Sequence, residues 1–309
     1  LLNFGESGGA SGWLVGQPGD GLRQMFMMMN EARISVGIGA AAMGYRGYRH
    51  SLAYAQERIQ GKSRATGEPV AIIHHPDVRR MVLAQKAYAE GALALCLYCA
   101  RLVDDEQAGD EDAASLLALL TPVAKTFPSE FGLIANDLAI QVHGGYGYTR
   151  DFDVEQLYRD NRLNPIHEGT TGVQGQDLLG RKILHDGKGY ALLQKRLLET
   201  QKRAAGLPEL APYAAGLQSV WKELDEAIAT IRTLPSDRQL DNATLFLRAF
   251  GHGIVAWLWL DLAATELTQK QAGKTTAYDG FADALTACQY FYLYEVPLVS
   301  AWLKTVIPA

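Results

Sequence analysis

Cysteine is scarce in this sequence: only three of the 309 residues are cysteine. Three thiols cannot build a disulfide framework, which argues against a small secreted fold stabilised by disulfides. Cys96 and Cys99 are spaced as Cys-x-x-Cys, but they lie in an apolar helical pattern and no second pair accompanies them. We therefore expect both thiols to pack in a core, and we expect the reducing cytoplasm as the compartment.

The sequence also lacks a cluster of basic residues. Its net charge is −5, and its Lys and Arg residues are scattered along predicted helices. Binding to nucleic acid or to an anionic membrane needs clustered cations, so neither partner is expected. The most apolar run is found in IVAWLWLDLAA, where His252 and Asp261 bound the uninterrupted apolar stretch. It covers only about half of the ~20 residues that span a bilayer, which predicts a buried helix.

The first twenty residues differ from the rest and lack the marks of a signal peptide. The chain starts with Leu1, and LLNFGESGGASGWLVG has neither a basic n-region nor a cleavage pattern. GWLVG could form one strand. We expect a chain that begins partway through a longer protein.

Helical periodicity dominates from Met25 onward. A first long helix is predicted up to a break at Gly61, and its small residues would permit close approach of a neighbouring helix. A second begins at Pro76, and segments 113–125 and 129–142 complete four helices, which indicates a four-helix bundle. After the break HDGKGY, further helices are predicted at 188–204, 208–233, 236–271 and about 278–306. The predicted fold class is therefore all-α, with a bundle in 21–187 and a second helical domain in 188–309.

Two loops between helices could carry chemistry. In the first, QVHGGYGYTRDF, Gly144 and Gly145 stand where glycines end a helix. No strand precedes them, so a dinucleotide fingerprint is not indicated. Helix termination explains the glycines, although their backbone would also suit close approach to a ligand.

The second loop, NPIHEGTTGVQ, places Glu168 between helices. Glu168 could cap a helix, but Thr170 and Thr171 are better caps. It could bind a metal with His167, but adjacent residues point in different directions and no second Glu-x-x-His motif is present. It could also act as a general base, because a carboxylate that faces an apolar cavity between helices gains basicity.

At these motifs the sequence resembles the acyl-CoA dehydrogenase family. The segment IQVHGGYGYTRDFDVEQLYRDNRLNPIHEGTTGVQGQDLLGRKIL is similar to the C-terminal segment of that family, and the resemblance extends upstream over roughly residues 1–185. It implies that 1–20 is the remnant of a β-domain. Residues past 190 resemble one branch only, which carries an extra C-terminal helical domain and includes methylthiopropanoyl-CoA dehydrogenases.

The resemblance implies a catalytic base and a flavin cofactor. Glu168 matches the carboxylate that removes the α-proton of an acyl-CoA thioester while the β-hydride passes to FAD. Gly169 keeps the substrate region open, and Thr170 matches a position that contacts the flavin. Arg33 matches a residue near CoA and the catalytic loop.

Further matches imply an oligomer. Arg58 matches an Arg that binds FAD pyrophosphate across a subunit interface, and Gln141 and Gly145 match residues near the adenosine of the same FAD. A homodimer or homotetramer is therefore expected, with acyl-CoA as substrate and an electron-transfer flavoprotein or similar acceptor as partner.

We expect this 309-residue chain alone to bind FAD weakly and to have no turnover. The alternative is a non-catalytic, DNA-associated member of the same scaffold, of the alkylation-response type. The acidic balance and the lack of a basic cluster after residue 190 argue against it.

Overall fold

The structure is a computed structural model that describes residues 2–273 and 283–306, and it is built almost wholly from helices. Its helices are α1 (Gly21–Glu57), α2 (Pro76–Gln107), α3 (Glu111–His143), α4 (Val154–Asn161), α5 (Thr171–Gln176), α6 (Lys188–Ala205), α7 (Ala211–Thr233), α8 (Ala243–Gln271), α9 (Ala284–Tyr290) and α10 (Val296–Val306). A small antiparallel hairpin joins α1 to α2 and consists of β1 (Ile59–Lys62) and β2 (Pro69–Ala71). The predicted all-α class, with a bundle followed by further helices, is confirmed.

The long helices α1, α2 and α3 form the centre of the bundle and pack along one another. Glycines set the distance between α1 and α3. A Cβ on Gly37 would lie 2.0 Å from the Ala124 carbonyl oxygen, and a Cβ on Gly44 would lie 3.0 Å from the Cα of Gly132. The prediction that small residues in the first helix permit close approach is confirmed.

The prediction of separate helices at 113–125 and 129–142 is wrong, because α3 runs unbroken from Glu111 to His143. Pro128 has no N–H and therefore cannot bond the carbonyl of Ala124. That carbonyl instead accepts a weak hydrogen bond from the Cys96 thiol, at 3.8 Å. Burial of this stretch of α3 between its neighbours keeps the helix continuous despite the proline.

The segment that completes the bundle is short and irregular. It begins as α5 and continues as a π-helix over Asp177–Asp186, which ends at Gly187 in the left-handed conformation. This segment packs against α3 on one side and α8 on the other. It is the fourth member of the bundle, a position that the sequence analysis assigned to residues 129–142.

Two predictions about extended segments were also wrong. Residues 2–20 contain no strand, and GWLVG is exposed. A strand needs a neighbour to pair with. Within residues 2–273 and 283–306, β1 and β2 pair only with each other. Conversely, β1 occupies residues that the sequence placed at the end of the first helix, because the chain turns back to pair with β2.

Helices α6 to α10 share one core with α2 and α3 rather than forming a separate cluster. The indole N–H of Trp259 on α8 donates to the Ala87 carbonyl on α2 at 3.1 Å. By length and composition, α8 could cross a bilayer, but 83% of its most apolar window is buried. The prediction of a buried helix is confirmed, although α8 begins at Ala243 rather than at 236. The start of the last predicted helix, near 278, lies outside the described residues.

All three cysteines are free and buried in this core. Burial raises the pKa of the Cys96 thiol to about 12. Such thiols are inert packing groups, and the prediction that Cys96 and Cys99 pack in a core is confirmed.

Candidate active site

Glu168 lies in the loop between α4 and α5, in an unusual backbone conformation. Its φ is 53°, and that of the next residue, Gly169, is 93°. Left-handed backbone is unfavourable for a residue with a Cβ and is found at functional sites when the surroundings enforce it. Here the buried Gln174 enforces it, since its amide donates to the Glu168 carbonyl at 3.1 Å. A Cβ on Gly169 would lie 2.5 Å from the same amide nitrogen.

A ladder of buried asparagines holds the start of this loop. Asn161, at the end of α4, donates to the Asn136 side chain at 2.7 Å and to the Ala40 carbonyl at 3.2 Å. Asn164 donates to the Asn161 side-chain oxygen at 2.8 Å. Asn136 in turn donates to the Met43 carbonyl at 2.9 Å. These bonds tie the loop to both α1 and α3.

Lys125 supports the loop from below. It is fully buried, and its ammonium donates to the Asn164 carbonyl at 2.7 Å. The pKa of Lys125 is lowered to about 8, mainly by desolvation and also by the charge of Arg33, while the charges of Glu130 and Glu168 oppose the shift. A buried cation therefore stands close to the loop that carries Glu168.

Arg33 is buried rather than available to a substrate. Its guanidinium forms a 2.8 Å ion pair with Asp177, and both side chains are almost fully enclosed. Asp177 also accepts from Arg181 at 2.8 Å. The Nε of Arg33 has no hydrogen-bond partner within the described part of the chain. A direct contact between Arg33 and a ligand would require this ion pair to rearrange.

The predicted FAD-binding residues Arg58, Gln141 and Gly145 come together on one cavity. They are exposed, and they line a space of about 930 Å³ between the end of α1, the hairpin and the end of α3. The Arg58 guanidinium lies 5.8 Å from the centre of the Tyr146 ring and forms no ion pair with any residue in 2–273 or 283–306. His75 contributes an imidazole nitrogen 2.7 Å from the Gln60 carbonyl oxygen.

A second cavity of about 700 Å³ lies on the other side of the loop, between α3, α8 and α10. Thr170 lines it, together with apolar side chains that include Phe131, Ile166 and Trp302. Glu168 lines neither cavity, and its side chain is exposed. The expectation that Glu168 faces an apolar cavity between helices is therefore wrong for this chain. Its carboxylate forms no ion pair among the residues that the structure describes.

Several residues that build the site were missed by the sequence reasoning. They are polar residues on α3, on α4 and the loop after it, and on the segment that follows α5: Lys125, Asn136, Asn161, Asn164 and Asp177. Lys125 and Asn136 occupy core-facing positions in the helical pattern of α3. A polar residue on the apolar stripe of a helix is the signal that could have identified them. No cluster of three or more metal-ligating side chains occurs in residues 2–273 and 283–306.

These features define an all-helical domain with a constrained loop that carries Glu168 above a buried polar network, and with a separate cavity lined by Arg58. The sequence profile of the acyl-CoA dehydrogenase C-terminal domain matches residues 19–183, and the profile described as acetyl-CoA dehydrogenase C-terminal like matches 193–307. The chain belongs to the acyl-CoA dehydrogenase family.

Curated relatives support this assignment. The chain is 36% identical over 281 residues to the 3-methylmercaptopropionyl-CoA dehydrogenase of Ruegeria pomeroyi. The alignment covers 87% of this chain and 48% of the relative. It is 34% identical over 329 aligned residues to the broad-specificity linear acyl-CoA dehydrogenase of Mycobacterium tuberculosis, covering 99% of this chain and 54% of that protein. The chain therefore spans about half the length of these relatives.

A solved structure has the same fold. The acyl-CoA dehydrogenase of Bacillus anthracis, complexed with FAD, superposes with a TM-score of 0.76 at 19% identity. The superposition covers 96% of this chain and 52% of the other.

Proposed function

We propose that this chain carries the catalytic base of a flavin-dependent acyl-CoA dehydrogenase, and that the base is Glu168. The observation that carries the proposal is the left-handed backbone of Glu168, enforced by Gln174 and by the buried network under the loop. The conformation destabilises a non-glycine residue, so its presence at a carboxylate indicates that the position of that carboxylate matters.

In the proposed reaction, the Glu168 carboxylate removes the α-proton of a bound acyl-CoA thioester. The electron pair of that C–H bond forms the new double bond as the β-hydride leaves, and the product is a 2,3-enoyl-CoA. FAD, when bound, supplies the acceptor for the hydride. An α-C–H is a weak acid, so donors to the thioester oxygen must stabilise the developing enolate charge. We assign one such donor to the backbone N–H of Glu168. At Gly169 the space that a Cβ would fill is occupied by the Gln174 amide.

The cavity with Arg58, Gln141 and Gly145 has the chemistry needed for the adenosine diphosphate end of FAD. Arg58 offers a planar guanidinium without a carboxylate partner in the described residues, which suits a pyrophosphate. Gln141 offers a side-chain amide for hydrogen bonding, and Gly145 has no side chain that would keep a ligand away from the backbone. This cavity lies on a different part of the surface from Glu168, so we propose a homo-oligomer in which each cofactor is shared between two subunits. Thr170 would contact the flavin from the Glu168 side.

A bound acyl chain would also remove water from Glu168. Its carboxylate is exposed in this chain, so we propose that the site closes only when the remaining half of a family member and the substrate cover it. Arg33 would then act beneath the loop, through Asp177, or reach CoA after the ion pair opens. The acceptor would be an electron-transfer flavoprotein or a similar protein, and the compartment the cytoplasm.

The proposal can be tested by joining this chain to the half of the Ruegeria pomeroyi relative that it does not match. We expect the joined protein to retain FAD and to lose flavin absorbance when an acyl-CoA is added. Glu168→Gln should retain FAD and show no bleaching, because an amide cannot accept the proton. Bleaching in Glu168→Gln would remove Glu168 from the mechanism. The chain alone should give no acyl-CoA-dependent reduction of a ferricenium acceptor.

The DNA-associated alternative makes a separate prediction. Binding to DNA phosphates would give a gel shift that weakens steeply with salt. With a net charge of −5 we expect no such shift for this chain.

A further inference from the structure

The first turns of α8, in the appended helices, lie directly against α5, the helix that follows Glu168. A Cβ on Gly175 would lie 2.7 Å from the Ala243 carbonyl oxygen, so backbone meets backbone at this point. On the next turn of α5 toward Glu168, a Cβ on Gly172 would lie 3.9 Å from the Thr244 hydroxyl. The two helices therefore fit together with no room for a side chain at Gly175.

An ion pair extends this contact. The Arg248 guanidinium on α8 donates two hydrogen bonds to the Glu130 carboxylate on α3, at 2.9 and 3.1 Å. Such a two-pronged pair fixes orientation as well as distance. The same carboxylate accepts from the Thr171 hydroxyl at 3.2 Å. Glu130 thus connects the appended helices to the residue that begins α5.

The chain of contacts ends at Glu168. Gln174, which stands between Gly172 and Gly175 on α5, donates to the Glu168 carbonyl. A displacement of α5 would therefore move the group that holds Glu168 in its left-handed conformation. Each link in the path from Arg248 through Glu130 and Thr171 to α5 is a direct contact.

We propose that the appended helices position the Glu168 loop, and that Arg248 is the positioning residue that transmits their support through Glu130 and Thr171. The role rests on the proposed function only in that Glu168 is the base. Loss of Arg248 should free the start of α5 and let the loop sample other conformations.

The first experiment measures amide hydrogen exchange of the full 309-residue chain. Arg248→Met should accelerate exchange in peptides over 166–176 by about tenfold, the effect of losing a charge-assisted hydrogen bond. Arg203→Met is the matched control, because Arg203 pairs with Asp261 inside the appended helices and does not touch α5. Thr171→Val removes only the last link and should accelerate the same peptides while the Arg248–Glu130 pair remains. Unchanged exchange over 166–176 in Thr171→Val would overturn the proposal, even if Arg248→Met failed to fold.

The second experiment uses the flavin-containing joined protein described above. Arg248→Met should lower kcat about tenfold and leave KM for acyl-CoA unchanged, and Arg248→Lys should recover part of the loss. An equal fall in kcat for Arg203→Met would overturn the proposal. If Glu168→Gln kept its turnover, the proposed function would fail while the exchange result stood. If only Glu168→Gln lost turnover and Arg248→Met behaved as wild type, the positioning role would fail while the base stood.

Discussion

The Lys125 ammonium donates a 2.7 Å hydrogen bond to the backbone carbonyl of Asn164, and this buried contact supports the loop that carries Glu168. A buried cation is costly unless it is hydrogen-bonded. The presence of Lys125 beneath the loop therefore indicates that it stabilises the loop. The contact joins the middle of α3 to the segment that enters the site. It was not foreseen from the sequence.

Stability should rise with pH through the titration of Lys125. Its pKa falls from 10.5 in the unfolded chain to about 8 in the folded protein, so the folded state binds fewer protons between these values. The free energy of unfolding should therefore increase from pH 8 to 10.5, by roughly 3 kcal/mol relative to Lys125→Met. Urea unfolding of both proteins across this window measures the difference, which cancels the titration of the tyrosines and cysteines. A difference that stays constant with pH would contradict the shift.

The asparagine ladder should be among the polar groups most sensitive to substitution. Asn161→Ala removes the hydrogen bonds to the Asn136 side-chain oxygen, the Asn164 side-chain amide and the Ala40 carbonyl, and all three residues are buried. We expect the free energy of unfolding to fall by roughly 3 kcal/mol. Gln156→Ala, on an exposed face of the same helix, should change it by less than about 0.5 kcal/mol. Equal effects in chemical unfolding would argue against the ladder.

Two neighbouring glycines of α1 should respond to alanine in opposite directions. Gly37→Ala places a Cβ against the Ala124 carbonyl and should destabilise the fold by roughly 3 kcal/mol. Gly39→Ala meets nothing within 4 Å and should stabilise it by about 1 kcal/mol through helix propensity. Thermal unfolding of the two variants provides the measurement. Destabilisation by Gly39→Ala would mean that another group contacts α1 at Gly39, which contradicts the open space seen there.

Relief of the backbone at Glu168 should stabilise the chain. Glu168→Gly adopts the observed φ of 53° without a Cβ, whereas Glu168→Ala keeps the Cβ. The glycine variant should therefore be more stable than the alanine variant by about 1 kcal/mol, the reverse of the usual order. The denaturant midpoints of the glycine and alanine variants measure this difference in stability. The opposite order would mean that the left-handed conformation is not retained in solution.

Retention of FAD should depend on Arg58 and not on its neighbour in the hairpin turn. In the joined protein, Arg58→Gln removes the cation that faces the cavity, and we expect loss of about 1.5 to 3 kcal/mol of binding free energy, or roughly tenfold to a hundredfold in Kd. Arg64→Gln, in the exposed turn between β1 and β2, should retain wild-type affinity. Equal retention of FAD in both variants after gel filtration would exclude Arg58 from the cofactor site.

The sequence by itself determined the helical class, the approximate bounds of α1, α2 and α6 to α8, and the close approach of α1 to its neighbour. Helical periodicity and small residues are local features of the sequence, so they can be read without knowing which segments pack together. The resemblance to the acyl-CoA dehydrogenase family implied Arg58, Gln141 and Gly145 as a group, and the structure places all three on one cavity.

Tertiary structure alone decided the rest. The continuity of α3 through Pro128 depends on its burial between neighbouring helices, and the Ala124 carbonyl that Pro128 cannot bond accepts from the Cys96 thiol on α2. GWLVG forms no strand because the part of the chain that the structure describes offers it no strand to pair with. The support of Glu168 by Lys125, Asn161 and Arg248 depends on contacts between residues far apart in sequence. Hydrogen bonds and ion pairs of this kind are fixed by distance in space, and no spacing along the chain encodes them directly.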